Sequence, residues 1–298
     1  MKWPGRQISL AGDGWQAGVL PGAGGQLTSL DFEGLEVLRK APPGSSDPLL
    51  AACFPLVPYA NRIAGGRFPL AAAMVQMPSN FPPELSSVHG LGWQEKWDAA
   101  PHAEFECTLD HCHPGLGPAP WRTELTTWPW AYQAQQRVRL GPQGCSITLG
   151  VTNWSNRLMP AGLGLHPYFR RRPGTRLCFS ASGVMEVDAA LIPTGTIAPP
   201  DSFGDFAKGA TLPSVTIDHS FTGWGGTAEI EDHLGSITLS ANGAPHLHVF
   251  APGDGSVLCL EPVNHLPDAL NRQPVDMPCL SPGNTTSLTM RINASLRR

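Results

Sequence analysis

The sequence lacks the features that mark several classes of protein. No stretch of about 18 apolar residues occurs, as a membrane-spanning helix would need. The first fifteen residues, MKWPGRQISLAGDGW, contain no apolar run long enough for a signal peptide. Positive charge is not in excess either, because 20 Lys and Arg face 24 Asp and Glu, so nothing electrostatic favours nucleic acid or an anionic membrane. We expect a cytoplasmic protein without nucleic-acid or membrane partners.

Cysteine is present but is not arranged for disulfides or for zinc. The seven cysteines are odd in number and no two have CxxC spacing. Cys107 and Cys112, with two neighbouring histidines, lie in a segment that predicts a loop, and a second ligand pair at the usual spacing is missing. His246 and His248 would share one side of a strand, again without a third ligand, and are interpreted as structural or surface residues. We therefore predict reduced thiols and no metal site.

Helical periodicity is missing, whereas alternation with period two recurs. No segment of a dozen residues shows an i, i+3, i+4, i+7 apolar stripe. Three segments alternate apolar and polar residues as half-buried strands do: SITLGVTN at 146–153, SITLSAN at 236–242 and SLTMRINASL at 287–296. Further strands are predicted on both sides of a Gly-Pro-Gln-Gly turn. These patterns predict an all-β fold, a large antiparallel β-sandwich.

Glycine and proline are abundant and are spread along the chain. Their numbers, 33 and 31, indicate many turns rather than disorder. The longest predicted loops are residues 40–50, 108–121 and 193–214, and none has the composition of a domain linker. GAGGQL at 22–27 lacks GxGxxG spacing and precedes no amphipathic helix, so nucleotide binding is not predicted. The length of 298 residues alone leaves one or two domains open.

Five segments place a residue with useful chemistry inside apolar, glycine-rich sequence. PLVPYANRIAGGRF at 55–68 contains Arg62, whose guanidinium, if partly buried, needs a carboxylate or a hydroxyl-rich ligand. The other four are SSVHGLGWQEKW with His89, AGLGLHPYFR with His166, TIDHSFTGW with Asp218 and VLCLEPVNHLPDALN with Glu261. Each contains a candidate proton carrier or orienting group.

Glu261 is the most informative of these residues. The apolar VLCL before it predicts a buried strand, which Pro262 would end. Desolvation there would raise the proton affinity of the carboxylate toward the range of a general base. A structural ion pair, with Arg62 for example, is the alternative. For His166, which is flanked by leucine and proline, the alternative is an ordinary buried histidine.

Taken in order, the segments PYANRIAGGRF, VHGLGW, GLGLHPYF, DHSF and CLEPVNHLPDALN resemble the motifs of the aldose 1-epimerase (galactose mutarotase) family. They extend from about residue 55 to 271. The resemblance implies a single domain over residues 1–298 with a β-supersandwich fold. It also implies an isomerase that interconverts the α and β anomers of a free aldose.

The resemblance assigns roles residue by residue. Glu261 would be the general base that takes the proton from the anomeric hydroxyl, and His166 the general acid that protonates the ring oxygen. The substrate-binding residues implied are Arg62, His89, Asp218, Asn61 and Trp93. Asn61 would support Arg62, and the indoles of Trp93 and Trp224 offer either a stacking surface for a pyranose or plain core packing.

This chemistry needs only a positioned acid and a positioned base, each worth on the order of 10² to 10⁴ in rate. No metal, nucleotide or covalent nucleophile is required. We therefore expect no cofactor, a small-molecule sugar as the partner, and a monomer or homodimer.

One departure from the family pattern bears on the substrate. Arg170 stands where an asparagine usually follows the phenylalanine, and it begins the run Arg170-Arg171-Arg172. The run is either a phosphate site for a sugar phosphate or a solvated loop. Three alternatives to the main interpretation stay open: a hexose-phosphate mutarotase, a non-catalytic sugar-binding protein on the same fold, and a β-sandwich glycosidase or lyase. The last would need two carboxylates flanking a cleft.

Overall fold

The computed structural model describes residues 5–71, 73–116, 124–272 and 275–297. Within these ranges regular structure is almost entirely β, and the helical elements are short 3-10 turns at Pro48–Leu50, Ala64–Gly66, Phe206–Lys208 and Ala269–Asn271. None of the helices in the described ranges is long and apolar enough to cross a membrane.

The strands, numbered along the chain, are β1 (Ile8–Gly12), β2 (Trp15–Leu20), β3 (Gln26–Phe32), β4 (Leu35–Leu38), β5 (Cys53–Leu56), β6 (Arg62–Ile63), β7 (Arg67–Leu70), β8 (Ala73–Gln76), β9 (Ser87–Val88), β10 (Asp98–Ala99), β11 (Glu106–His113), β12 (Glu124–Leu125), β13 (Tyr132–Gly141), β14 (Gly144–Asn153), β15 (Met159–Pro160), β16 (Gly164–Phe169), β17 (Arg176–Phe179), β18 (Gly183–Val187), β19 (Pro193–Ala198), β20 (Ala210–Thr211), β21 (Ile217–Thr222), β22 (Thr227–Glu231), β23 (Gly235–Asn242), β24 (His246–Ala251), β25 (Leu258–Val263), β26 (Cys279–Leu280) and β27 (Thr285–Leu296).

Two large antiparallel sheets make up most of the fold. One has the strand order β1-β2-β3-β4-β16-β25-β24-β21-β18-β19, with β5 paired to both β16 and β3, and the other has the order β10-β11-β13-β14-β27-β23-β22-β17-β20. A continuous hydrophobic cluster contains fully buried side chains from both sheets, Leu30 and Val249 from the first, Leu149 and Met290 from the second. Apolar faces of two sheets bury each other in this way in β-sandwiches. The all-β sandwich prediction is confirmed.

The three segments with strict alternation are strands of the second sheet, β14, β23 and β27. In β14 Ile147 and Leu149 are buried and lie opposite Met290 and Leu288 of β27. The predicted turn at Gly-Pro-Gln-Gly joins β13 to β14. Period-two alternation was sufficient to predict these three strands, because one face of each packs on the core and the other is exposed to solvent.

Two of the three predicted loops are partly wrong. Residues 108–113 belong to β11, which pairs along its whole length with β13, while residues 117–121 of that loop lie outside the described ranges. Residues 193–198 form β19 and residues 210–211 form β20. Polar composition was misleading in both places, since β19 is largely exposed and the buried face of β11 itself contains His111 and His113. Cys107 and Cys112 lie five positions apart in β11, so they face opposite sides; both are free thiols.

Strands β16 and β25 lie next to each other inside the first sheet, and every residue of both is buried. A strand buried on both faces loses alternation and reads as a continuous apolar run. Polar residues in such strands are therefore desolvated, and this is where His166 and Glu261 lie.

Candidate active site

A cavity of about 390 Å³ lies over the strands β16, β25, β24 and β21. Its wall contains all seven residues predicted for catalysis or substrate binding, which the chain supplies from positions 61 to 261: Asn61, Arg62, His89, Trp93, His166, Asp218 and Glu261. The volume is within the usual range for a small-molecule site.

The sheet register places the polar residues of these strands in one row. The pairing of β16 with β25 puts His166 opposite Glu261, and β24 continues the row with His248, the pairing partner of Glu261. Ser220 of β21 pairs in turn with His248, and Asp218 lies two residues away on the same face. Residues opposite each other in adjacent strands share a face of the sheet. Register therefore creates this part of the site.

His166 and Glu261 touch at the centre of the row. The Nε2 atom of His166 lies 3.2 Å from Oε1 of Glu261, and the two side chains are only 8% and 2% exposed. The other polar atom of each, Nδ1 and Oε2, is buried with no hydrogen-bond partner among the described residues. Burial raises the pKa of Glu261 to about 7 and lowers the pKa of His166 well below its usual value.

The segment after β5 contributes a second group of residues through unusual backbone. Asn61 and His89 both adopt positive φ angles, 54° and 62°, which non-glycine residues seldom do. Two hydrogen bonds join these residues. The backbone N–H of His89 donates to the carbonyl of Asn61 (2.8 Å), and the backbone N–H of Asn61 donates to Nδ1 of His89 (3.2 Å). The next residue is Gly90, and only glycine fits there, because a Cβ would lie 2.2 Å from the Val57 carbonyl oxygen. Nε2 of His89 is thereby left for a ligand.

Arg62 is held by carboxylates of the protein. Its Nε donates to Oε1 of Glu84 (2.5 Å), and Nη2 lies 3.7 Å from Oδ2 of Asp218. Nη1 donates to Oδ1 of Asn61 (3.3 Å), so the supporting contact expected of Asn61 is present. The alternative that paired Arg62 with Glu261 is wrong. These contacts fix the orientation of the Arg62 guanidinium at the cavity wall.

His248 is a site residue that the sequence interpretation missed. Its Nε2 contacts Oδ1 of Asp218 (2.8 Å) and its Nδ1 contacts Oγ of Ser220 (2.9 Å). Burial by itself lowers the pKa of His248, but the carboxylates of Glu261 and Asp218 raise it overall. Burial likewise opposes ionisation of Asp218, yet the hydrogen bond with His248 and the charge of Arg62 lower the pKa of Asp218. The neighbouring carboxylates therefore favour the protonated form of His248, which lies beside Glu261.

A stack of planar groups forms one wall of the cavity. The Arg39 guanidinium lies 3.5 Å from the Tyr168 ring centroid, Tyr168 stacks on His166 (4.5 Å between centroids, 19° between planes), and His166 packs on Phe54 (4.6 Å). Trp93 follows at 5.3 Å from Phe54 and is almost fully buried. Phe54 thus separates Trp93 from His166. Since Nδ1 of His166 has no partner, ring stacking fixes the plane of this imidazole.

Three other expectations are settled by position. Trp224 lies in the main core, where its Nε1 donates to the Thr227 carbonyl, so the stacking role suggested for it is wrong. The arginine run does not line the cavity. Arg171 donates to backbone carbonyls and Arg172 pairs with Asp232 at 2.8 Å. Neither a phosphate site nor a freely solvated loop describes this run.

One group among the described residues could hold a metal ion. Among the described residues, the His and carboxylate group that could ligate an ion is His89, His166 and Glu261, whose ligand atoms lie within 4.8 Å of one another. Two imidazoles and a carboxylate are suitable zinc ligands. The absence of a metal from the reaction stays a prediction.

Comparison with known proteins identifies the family. A family model described as aldose 1-epimerase matches residues 6–293. The chain belongs to the aldose 1-epimerase family. Among relatives, the protein YphB of Escherichia coli K-12 is 30% identical over 254 residues, which cover 81% of this chain and 83% of YphB.

Solved structures of similar proteins have the same fold. An aldose 1-epimerase-like protein from Escherichia coli K-12 superposes with a TM-score of 0.86 at 27% identity, covering 98% of this chain and 99% of that one. A galactose mutarotase-like protein from Clostridium acetobutylicum gives 0.83 at 19% identity, covering 98% and 95%. The second likeness concerns the fold alone.

The residues missed from sequence differ in how they could have been found. Tyr168 lies inside the HPYF motif and His248 alternates with His246 along a predicted strand, so both carried a pattern. Phe54, Glu84 and Arg39 carried none, because their neighbours in sequence do not line up with any motif. Only the folded chain brings them to the cavity.

Proposed function

We propose that this aldose 1-epimerase family member is a mutarotase that interconverts the α and β anomers of a free aldose. The contact between His166 and Glu261 at the floor of the cavity is the observation that supports this best. A hemiacetal carries its hydroxyl and its ring oxygen on the same carbon atom. Two groups in contact with each other can therefore each reach one of those oxygens.

Proton transfer follows from the balance between these two groups. In the empty site burial favours the neutral form of each group, so a single proton shared by the pair favours the Glu261 carboxyl over the His166 imidazole. A bound sugar changes this balance, because its anomeric hydroxyl donates to Glu261 and its ring oxygen accepts from His166, and each contact favours the charged form. The shared proton then passes from the Glu261 carboxyl to the imidazole of His166, 3.2 Å away. Glu261 then removes the hydroxyl proton while His166 protonates the ring oxygen, and the ring opens.

The second anomer forms by rotation and reclosure. Turning about the bond between C1 and C2 presents the other face of the aldehyde to the ring hydroxyl. Reclosure reverses the two proton transfers and restores the pair. Nε2 of His89 and the fixed guanidinium of Arg62 would hold the ring oxygen or neighbouring hydroxyls, and Asp218 would accept from a further hydroxyl.

Polarimetry on freshly dissolved α-glucose and α-galactose tests the proposal. The protein should shorten the time course, and Glu261→Gln should remove nearly all of the acceleration, since an amide cannot accept the proton. His166→Ala should lose a factor of roughly 10² or more. Glu229→Gln is the matched control, because that glutamate is exposed on β22 and does not line the cavity.

Retained activity in either site variant would contradict the assigned roles. An unchanged time course with the wild-type protein would favour the sugar-binding or glycosidase alternatives instead. Glucose 6-phosphate in the same assay tests the hexose-phosphate alternative.

A further inference from the structure

One arginine of the cavity wall has no ion-pair partner among the described residues. The arginines and acidic residues of the wall are Arg39, Arg62, Asp218 and Glu261. Arg62 pairs with Asp218 as well as Glu84, and Glu261 contacts His166. Arg39 is the remaining cation, and no carboxylate in the described ranges forms an ion pair with it. Asp47, in the nearby loop, accepts a backbone N–H from Leu49 instead.

The contacts of Arg39 fix its position without neutralising it. Nε donates to the carbonyl of Ala51 at 2.7 Å and Nη2 to that of Leu49, while the plane of the guanidinium covers the ring of Tyr168. Nη1 makes no hydrogen bond to the described part of the chain. Burial lowers the pKa of Arg39 by more than its neighbours raise it. A partly desolvated, rigid guanidinium with free N–H groups is a ready site for a carboxylate or phosphate.

The position of Arg39 in the stack determines which part of a bound sugar its guanidinium could contact. The Tyr168 ring lies between Arg39 and His166. A pyranose with its anomeric carbon at His166 would therefore reach Arg39 only with a substituent remote from that carbon. The cavity, at about 390 Å³, has room for such a substituent.

We propose that Arg39 makes this enzyme selective for aldoses with an anionic substituent remote from C1, either a carboxylate or a phosphate ester. The inference rests on the proposed mutarotase function and replaces a neutral free aldose by an anionic aldose as the preferred substrate. Charge-assisted hydrogen bonds are worth roughly a factor of 10 to 100 in binding. Selectivity of that size over the neutral aldose is expected.

Anomer-exchange NMR can measure the selectivity with glucose, glucuronate and glucose 6-phosphate. For the wild-type protein, kcat/KM should favour at least one anionic sugar over glucose by about tenfold or more. Arg39→Gln should lower that ratio about 10-fold to 100-fold, and Arg39→Lys should lower it less. Arg170→Gln, which removes an arginine half-exposed outside the cavity, should leave the ratio unchanged. Preference for glucuronate would indicate a carboxylate substrate, and preference for glucose 6-phosphate would indicate a phosphate ester.

Two outcomes separate this inference from the proposed function. Acceleration for glucose with no preference for either anion, or a preference that Arg39→Gln leaves unchanged, would overturn the inference alone. If the protein accelerates anomer exchange of none of the three sugars, the mutarotase proposal fails. Calorimetric titration of glucuronate and glucose 6-phosphate then tests the Arg39 site by itself. Binding that Arg39→Gln weakens at least tenfold would support it, and binding that this variant does not weaken would refute it.

Discussion

A single proton held between two buried side chains governs the site at the scale of residues. Carboxyl groups in water ionise far below neutral pH and imidazoles titrate near pH 6.5. Burial reverses this order here, raising the pKa of Glu261 and lowering that of His166. In the proposed mechanism the pair is active when it holds one proton in total, and its apparent pKa values belong to both groups together.

The pH dependence of kcat/KM should show this reversal. The last proton leaves the pair with the pKa of Glu261, about 7, so kcat/KM should fall as pH rises above that value. It should fall again at low pH, where the pair takes up a second proton. Initial rates from about pH 4 to pH 9 provide the measurement. A rate that increases through pH 7 would mean that the ionised carboxylate acts without a shared proton.

At the scale of elements, adjacent strands place their residues in one row. The row from β16 through β25 and β24 to β21 sets His166, Glu261 and His248 side by side. His248 is held from both ring nitrogens by Asp218 and Ser220. We infer that His248 is a positioning residue that acts through Glu261, because protonation of His248 lowers the pKa of the neighbouring carboxyl.

Replacing His248 by asparagine should shift the alkaline limb of the pH profile upward. Loss of the positive charge lets the pKa of Glu261 rise further, since burial is then less opposed. His246→Asn is the matched control, because this histidine lies two residues away on β24 and does not line the cavity. A lowered rate with an unmoved limb would assign His248 a purely structural role.

At the scale of the whole molecule, ionisation of the buried Glu261 carboxyl lowers the stability of the fold. Because the pKa of Glu261 rises from 4.5 to about 7 on folding, its contribution to stability is fully present below the unfolded value. The contribution is lost as pH rises through about 7. A shift of this size corresponds to about 3 kcal/mol.

Glu261→Gln should therefore make the protein more stable in alkali while making it inactive. Urea unfolding should show a gain in the free energy of unfolding over wild type that is about 2 to 3 kcal/mol larger at about pH 8.5 than at pH 5. Glu229→Gln, on an exposed strand face, should show no such difference between the two pH values. Equal effects of Glu261→Gln at both pH values would show that the carboxylate is not desolvated.

The local alternation of apolar and polar residues was sufficient to predict the all-β fold class. The alternation of Ile147, Leu149 and Val151 fixed a strand, its exposed face and its place in a sandwich, because one face of that sheet meets water. The motif order from Arg62 to Glu261 was likewise sufficient to indicate the family. In β11 the strand was missed because its buried face includes His111 and His113, so its sequence resembled a polar loop.

Composition and motifs determined that this chain is an antiparallel β protein with a set of polar residues in apolar surroundings. Tertiary structure alone decided how those residues act. Strand register places His166 and His248 against Glu261, whereas segments outside the strands bring Glu84 to Arg62 and Arg39 to the cavity. The physical reason is that the pKa of a buried group and the balance of charge in a cavity depend on neighbours distant in sequence, and no local pattern records them.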